Sequence, residues 1–143
     1  MVILYDRYNL SEDIFEVIFA TGSQKIVAKA LIEFLKENQG EVNKTQMSMF
    51  ATALHDGNYQ TFLDEDQFRG KKVQLSYNKR QFYDRILTPM KSMGLIDFDM
   101  YKKTYKLSDK FNKDMIRIGL MWLQELRKPA TTYKKSTDNR KAP

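Results

Sequence analysis

The chain has 143 residues, 42% of them apolar, no cysteine and a formal net charge of +6. That size predicts a single folded domain with a core of its own, and the missing cysteines exclude disulfides, zinc ribbons and thiol chemistry, which fits a reducing, cytoplasmic setting. No run approaches the roughly 20 apolar residues of a bilayer span, and Asp6 and Arg7 cut short the apolar run Val2 to Tyr5, so neither a membrane segment nor a signal peptide is expected.

Residues 1–9 read as an arm or short strand. Ser11 is placed as the N-cap of the first helix, with Leu10 and Phe15 as a hydrophobic staple around it. Ile14, Phe15, Val17, Ile18 and Phe19 make this helix apolar nearly all round, so it is expected in the core or against another subunit. Gly22 ends it and Ser23 caps the next. That second helix spans about Gln24 to Asn38, with Ile26, Val27, Ala30, Leu31, Phe34 and Leu35 in one buried stripe. Asn38 to Gly40 form the stop, and Val42 reads as one residue of strand. Asn43 or Thr45 caps a third helix, about Lys44 to Leu54, with Met47, Phe50, Ala51 and Leu54 inward. His55-Asp56-Gly57-Asn58 closes it by turn chemistry.

Tyr59 to Leu75 carries little pattern beyond a helical turn at Leu63 to Phe68. A fourth helix is expected from Tyr77 to Met93, capped by Ser76, with Phe82, Tyr83, Ile86, Leu87, Met90 and Met93 as its apolar positions. Pro89 lies inside it and should push Thr88 out of helical angles and bend or break the last turn. Leu95 to Met100 and Thr104 to Leu107 read as strands joined by Tyr101-Lys102-Lys103. Ser108 caps a last helix, about Asp109 to Lys128, and the polar, basic residues 129–143 read as a disordered tail.

Charge is unevenly spread. Residues 1–70 hold 6 Lys/Arg and 11 Asp/Glu, a net of −5, whereas residues 71–143 hold 18 and 7, a net of +11. The basic half is the half with the helix and hairpin, which favours a polyanionic partner.

The order helix, short strand, helix, helix, hairpin, and in particular Arg85-Ile86-Leu87-Thr88-Pro89-Met90-Lys91-Ser92-Met93-Gly94-Leu95-Ile96 followed by a basic hairpin and Leu107-Ser108, resembles the DNA-binding half of MarR-like and ArsR-like transcriptional regulators. The resemblance covers roughly residues 24–110. It implies a mainly α fold with a small β-hairpin, a winged helix-turn-helix with extra N- and C-terminal helices. The implied division is an N-terminal arm and helix at 1–22, a winged-helix DNA-binding domain at 23–108 and a dimerisation helix at 109–128. One departure stands out. The turn of a helix-turn-helix is usually a few residues long, yet about twenty separate Leu54 from Ser76. Either an insertion lies there or the second helix lies elsewhere.

With Phe82, Ile86 and Met90 inward, Asn78, Gln81 and Arg85 form one outward stripe of groups that can read base edges, with Arg80 beside them. Tyr77 and Lys79 are expected on phosphates, as are Lys71 and Lys72 before the helix and Lys102 and Lys103 at the hairpin tip. Asp84 either accepts from cytosine or pairs with Arg80.

In the last helix Phe111, Met115, Ile118, Trp122 and Leu126 form one apolar stripe, and Ile116, Leu120 and Leu123 a second. Such breadth demands cover on more than one side. A homodimer that pairs these helices, with Phe15 and Phe19 joining the interface, is the economical arrangement and suits a palindromic site. The alternative is that the terminal helices pack on one another within one chain.

His55 reads as a helix-end residue rather than a ligand, and Asp64-Glu65-Asp66 as a solvated helix start. No metal site, cofactor, phosphate loop or nucleophile with its base is expected, so no enzyme is. The expected function is sequence-specific double-stranded DNA binding by a dimeric regulator. The alternatives are a winged-helix protein-interaction module, or a replication or partition protein of a plasmid or virus.

Overall fold

A computed structural model of the chain describes residues 5–62 and 72–131. It is mostly helical with two small antiparallel sheets. The chain divides into two units, Met1–Asp109 and Lys110–Pro143.

In the first unit a short 3₁₀ turn, Arg7–Asn9, stands where an arm or strand was expected; the Asp6 side chain caps it by accepting from the Tyr8 N–H. Helix α1 spans Ile14–Ile18. Its cap is Asp13, which accepts from the Phe15 N–H at 2.9 Å, not Ser11. Ser11 instead accepts from the Asp13 N–H and donates to Glu16, so it supports the cap from two positions upstream. Helix α2 spans Gly22–Glu37, capped by Thr21 rather than Ser23; Gly22 is its first residue and not the stop of α1. The expected stripe of α2 is inside: Val27, Ala28, Ala30, Leu31 and Leu35 are buried, and Ile26 and Phe34 pack partly buried against them. The chain leaves α2 through two left-handed residues, Gln39 and Gly40, and the Gly40 N–H closes on the Leu35 carbonyl at 2.7 Å.

Strand β1 is Glu41–Asn43, and helix α3 is Lys44–His55. Asn43 and Gln46 form a reciprocal capping box at its start. Met47, Phe50, Ala51 and Leu54 are buried, as the spacing predicts. Phe50 is the hub of an aromatic cluster: its ring lies 4.7 Å from Phe34, 4.9 Å from Tyr59 and 5.5 Å from Phe82.

The stretch with little pattern holds a second hairpin. Strands β2, Tyr59–Phe62, and β3, Lys72–Leu75, pair antiparallel with Tyr59 opposite Leu75 and Phe62 opposite Lys72. The helical turn expected at Leu63 to Phe68 lies outside the described residues, as do Asp64-Glu65-Asp66 within it and Lys71. The neck of this hairpin is closed: the Tyr77 N–H donates to the Leu54 carbonyl at 2.9 Å, and the Gln74 side chain donates to the Gly57 carbonyl. The long separation is therefore spanned by a hairpin that leaves and returns at one neck, and the helices on either side of it, Lys44–His55 and residues 79–92, stand where their spacing predicts.

Helix α4, residues 79–92, is made of three runs: Lys79–Gln81 is α-helical, Phe82–Leu87 is π-helical and Thr88–Ser92 is α-helical. Its cap is Asn78, not Ser76. Pro89 does not break it, and Thr88 keeps helical angles, φ −60° and ψ −48°. The wider π turns take up the strain, with the Thr88 N–H reaching back five residues to the Tyr83 carbonyl, ahead of the position where Pro89 has no N–H to give. The extra residue in the turn lets Leu87 join Phe82, Ile86 and Met90 in the core.

Gly94, at φ 82°, ends α4 in the left-handed region. Strands β4, Ile96–Asp99, and β5, Thr104–Leu107, follow at the expected places, and β1 adds to them in the order β1-β5-β4, with Val42 opposite Tyr105. Phe19 is only 8% exposed and lies in this same core, with Phe15 half-buried against it. Phe19 thus finds its cover within the chain, and Phe15 part of its cover.

The second unit's described part is helix α5, Lys110–Arg127, followed by Pro129. None of its residues is buried; Met115, Ile116, Ile118, Leu120, Met121, Trp122, Leu123 and Leu126 are all exposed. No helix among the described residues is long and apolar enough to cross a membrane.

Candidate nucleic-acid interface

The exposed residues of α4 are Arg80, Gln81, Asp84, Arg85, Thr88 and Ser92, recurring every four positions as a solvent-facing stripe. The opposite face is locked by burial of Phe82, Ile86, Leu87 and Met90, so the stripe's orientation is fixed by the core. Arg80 and Asp84 approach at 3.8 Å, an exposed i,i+4 pair that is loose and weak and leaves the guanidinium available. Of the two roles the sequence allows Asp84, this is the pairing with Arg80.

The start of α4 departs from expectation in three side chains. Asn78 Oδ1 accepts from the Gln81 N–H at 3.1 Å, so its acceptor is used as a cap and the residue stands less free to read a base. The signal for this was in the sequence: Asn78-Lys-Arg-Gln81 has the same Asn-Lys-x-Gln form as the capping box Asn43-Lys-Thr-Gln46. Lys79 is half-buried, and its Nζ donates to Thr52 Oγ1 at 3.0 Å and reaches Ser48 Oγ at 3.4 Å, so it ties α4 to α3 rather than standing free for phosphate. Tyr77 is half-buried against the core.

His55 has a specific task in this corner. Its Nδ1 accepts from the Lys79 N–H at 3.1 Å, satisfying one of the amides that a helix start leaves open. The last residue of α3 thus caps α4. Tyr83 meets the Phe82 ring edge-on at 5.4 Å, and burial pushes its pKa up from the ordinary tyrosine value.

The second exposed basic element is the tip of the β4–β5 hairpin. Asp99 Oδ1 accepts from the N–H of Tyr101 at 2.9 Å and of Lys102 at 3.0 Å. The Lys103 N–H donates to the Asp99 carbonyl at 2.7 Å, and Lys103 takes a left-handed φ of 55°. The Lys103 carbonyl then accepts from the Lys44 N–H at 3.1 Å, fastening the tip to the start of α3. Amides of Lys102 and Tyr101 hold the Asp99 carboxyl below its ordinary range. Lys102 and Lys103 are both exposed. Lys91 is not part of this basic surface: its ammonium lies over the Phe98 and Tyr105 rings at 5.7 and 5.8 Å. Lys72 sits in β3 opposite Phe62.

Among the described residues no cluster of His, Asp or Glu has the makings of a metal site. An apolar hollow of about 340 Å³ between α2, α3 and β2 is lined by Phe34, Gln46, Met49, Phe50, Ala53 and Tyr59. The Gln46 side chain in its wall is engaged in the α3 capping box. No protein-family model matches this chain, and neither does any curated protein or solved structure.

Proposed function

We propose that this chain is a winged-helix protein that binds double-stranded DNA sequence-specifically, as a dimeric transcriptional regulator. The observation that carries the reading is the Leu54–Tyr77 closure. With the β2–β3 hairpin set aside as a branch, α3 and α4 follow one another as the two helices of a helix-turn-helix, and the β4–β5 hairpin follows as a wing. On this reading α4 is the recognition helix. Gln81 and Arg85 read base edges, Arg80 supports them, and Lys102 and Lys103 contact phosphate. The net of +11 over residues 71–143 supplies the long-range attraction.

Dimerisation is assigned to α5. Its apolar stripe Met115, Ile118, Trp122, Leu126 is exposed, and a second copy of the same helix is the partner whose apolar face matches it. Two recognition helices related by a two-fold axis call for a palindromic site with half-sites about one helical turn apart.

The test is fluorescence anisotropy on a pool of random duplexes over a salt series, followed by selection. The expected result is binding whose log K falls with log salt by about 0.9 per phosphate neutralised, and an enriched palindrome. Absence of duplex binding at low salt would overturn the reading and direct attention to an acidic protein partner.

A further inference from the structure

The tip of the β4–β5 hairpin carries a feature that the lysines do not explain. Met100 is 77% exposed and Tyr101 99% exposed, side by side at the outermost point of the turn. Single exposed apolar residues are ordinary. Here two are adjacent, and they stand where turn chemistry favours Gly, Asn, Asp or Ser. The next left-handed position is held by Lys103 rather than glycine, a choice that costs roughly 1 kcal/mol of backbone energy. Local folding therefore does not account for the sequence Met-Tyr-Lys-Lys.

The tip is also built to be stiff. The Tyr101, Lys102 and Lys103 amides are all satisfied by Asp99, and the Lys103 carbonyl by Lys44. A loop whose backbone is internally bonded presents its side chains at little further entropic cost on binding. What it presents is an aromatic ring and a flexible thioether beside two ammonium groups.

We infer that Met100 and Tyr101 form an apolar wedge that enters the minor groove of duplex DNA, against or between bases, while Lys102 and Lys103 hold neighbouring phosphates. The inference rests on the DNA-binding reading above and adds a non-electrostatic contact to it. Charge complementarity selects the occupant: an apolar pair followed directly by two cations fits base faces bordered by phosphates. Inserted apolar side chains partly unstack a base step and kink the duplex. A ring laid against a base contributes enough to change affinity on the order of ten-fold.

The experiment compares the full chain with Met100→Ala/Tyr101→Ala, Tyr101→Phe and Lys102→Ala/Lys103→Ala. The probe is a fluorescein-labelled random-sequence duplex pool, read by anisotropy over a salt series. End-to-end energy transfer on a doubly labelled duplex reports bending, and thermal unfolding checks that each variant is folded. The double apolar variant should bind on the order of ten-fold more weakly at every salt concentration. Its salt slope should be unchanged and the wild-type bend abolished, while Tyr101→Phe keeps both affinity and bend. The double lysine variant should instead flatten the slope by about 1.8, for two phosphates at about 0.9 each. Wild-type binding with an apolar variant within two-fold of it, or with no bend in the wild-type complex, overturns the wedge and leaves the DNA-binding reading standing. Wild-type failure to bind any duplex overturns both.

Discussion

The Tyr77 N–H donates to the Leu54 carbonyl at 2.9 Å, across twenty-two intervening residues. This bond, with the His55–Lys79 bond beside it, makes the end of α3 and the start of α4 neighbours as close as a short turn would make them. The β2–β3 hairpin leaves and returns through one neck. Everything proposed for α4 depends on that corner being held.

His55→Ala removes the acceptor for the Lys79 amide and should destabilise the first unit by about 1 kcal/mol, the usual worth of a helix cap. Asn78→Ala should cost a similar amount, about 1 kcal/mol. Denaturant unfolding measures both. If neither midpoint moves, the α3–α4 corner is not held as described.

Gln81→Ala and Arg85→Ala lie on the exposed stripe and should leave stability within about 0.5 kcal/mol of wild type. They should relax base preference at single positions, by about 1–3 kcal/mol for each bidentate pairing with a base that is removed. Selection from random duplexes, repeated with each variant, is the check; an unchanged preferred site would remove α4 as the reading element. Lys79→Met should behave in the opposite way, lowering stability because its bonds to Thr52 and Ser48 are gone while leaving the salt slope as it was.

Trp122 is the chain's one tryptophan and is 63% exposed on α5. If α5 pairs with a second copy, its emission should shift to the blue as concentration rises and return on dilution, with light scattering following the same midpoint. Ile118→Asp should abolish both changes by burying a charge in the seam. A concentration-independent spectrum together with a monomer mass would remove the dimer.

Two carboxylates make the fold acid-sensitive in a defined direction. Backbone donors from Lys102 and Tyr101 lower Asp99, and Lys29, at 2.7 Å, together with the Phe15 amide lowers Asp13. A group whose pKa is depressed by folding adds stability that is complete above its unfolded value, near about 4, and that is lost as pH falls through its folded value. Thermal midpoints should therefore drop between about pH 5 and pH 2. Asp99→Asn and Asp13→Asn should start lower and lose less over that range, and parallel curves for wild type and variants would contradict the assignment.

Much of the fold was legible because the information is local. The stripe of α2, the inward faces of α3 and α4, the cap at Asn43 (one of two candidates) and the exit at Gly94 all rest on spacing within one or two turns, and the structure keeps them. The caps that went astray, Ser11 for Asp13, Ser23 for Thr21 and Ser76 for Asn78, were shifts of two residues between side chains that cap about equally well in isolation. Among the interface residues, the exposed stripe Gln81 and Arg85 followed from the helical period. The structural tasks of Lys79 and Asn78 did not follow from that period, because both side chains are drawn into building the α3–α4 corner, Lys79 by Thr52 and Asn78 by the Gln81 amide.

The sequence by itself determined which residues are apolar and at what period, and hence where the helices and the β4–β5 hairpin form, and it placed the positive charge in the second half. Only the tertiary structure decided how β2 finds β3, how the Leu54–Tyr77 neck closes, how a π-helical run absorbs Pro89, and that Phe19 goes into its own core. Those outcomes depend on contacts between residues far apart in the chain. Their energies belong to pairs that meet only once the core has assembled, and no local period records them.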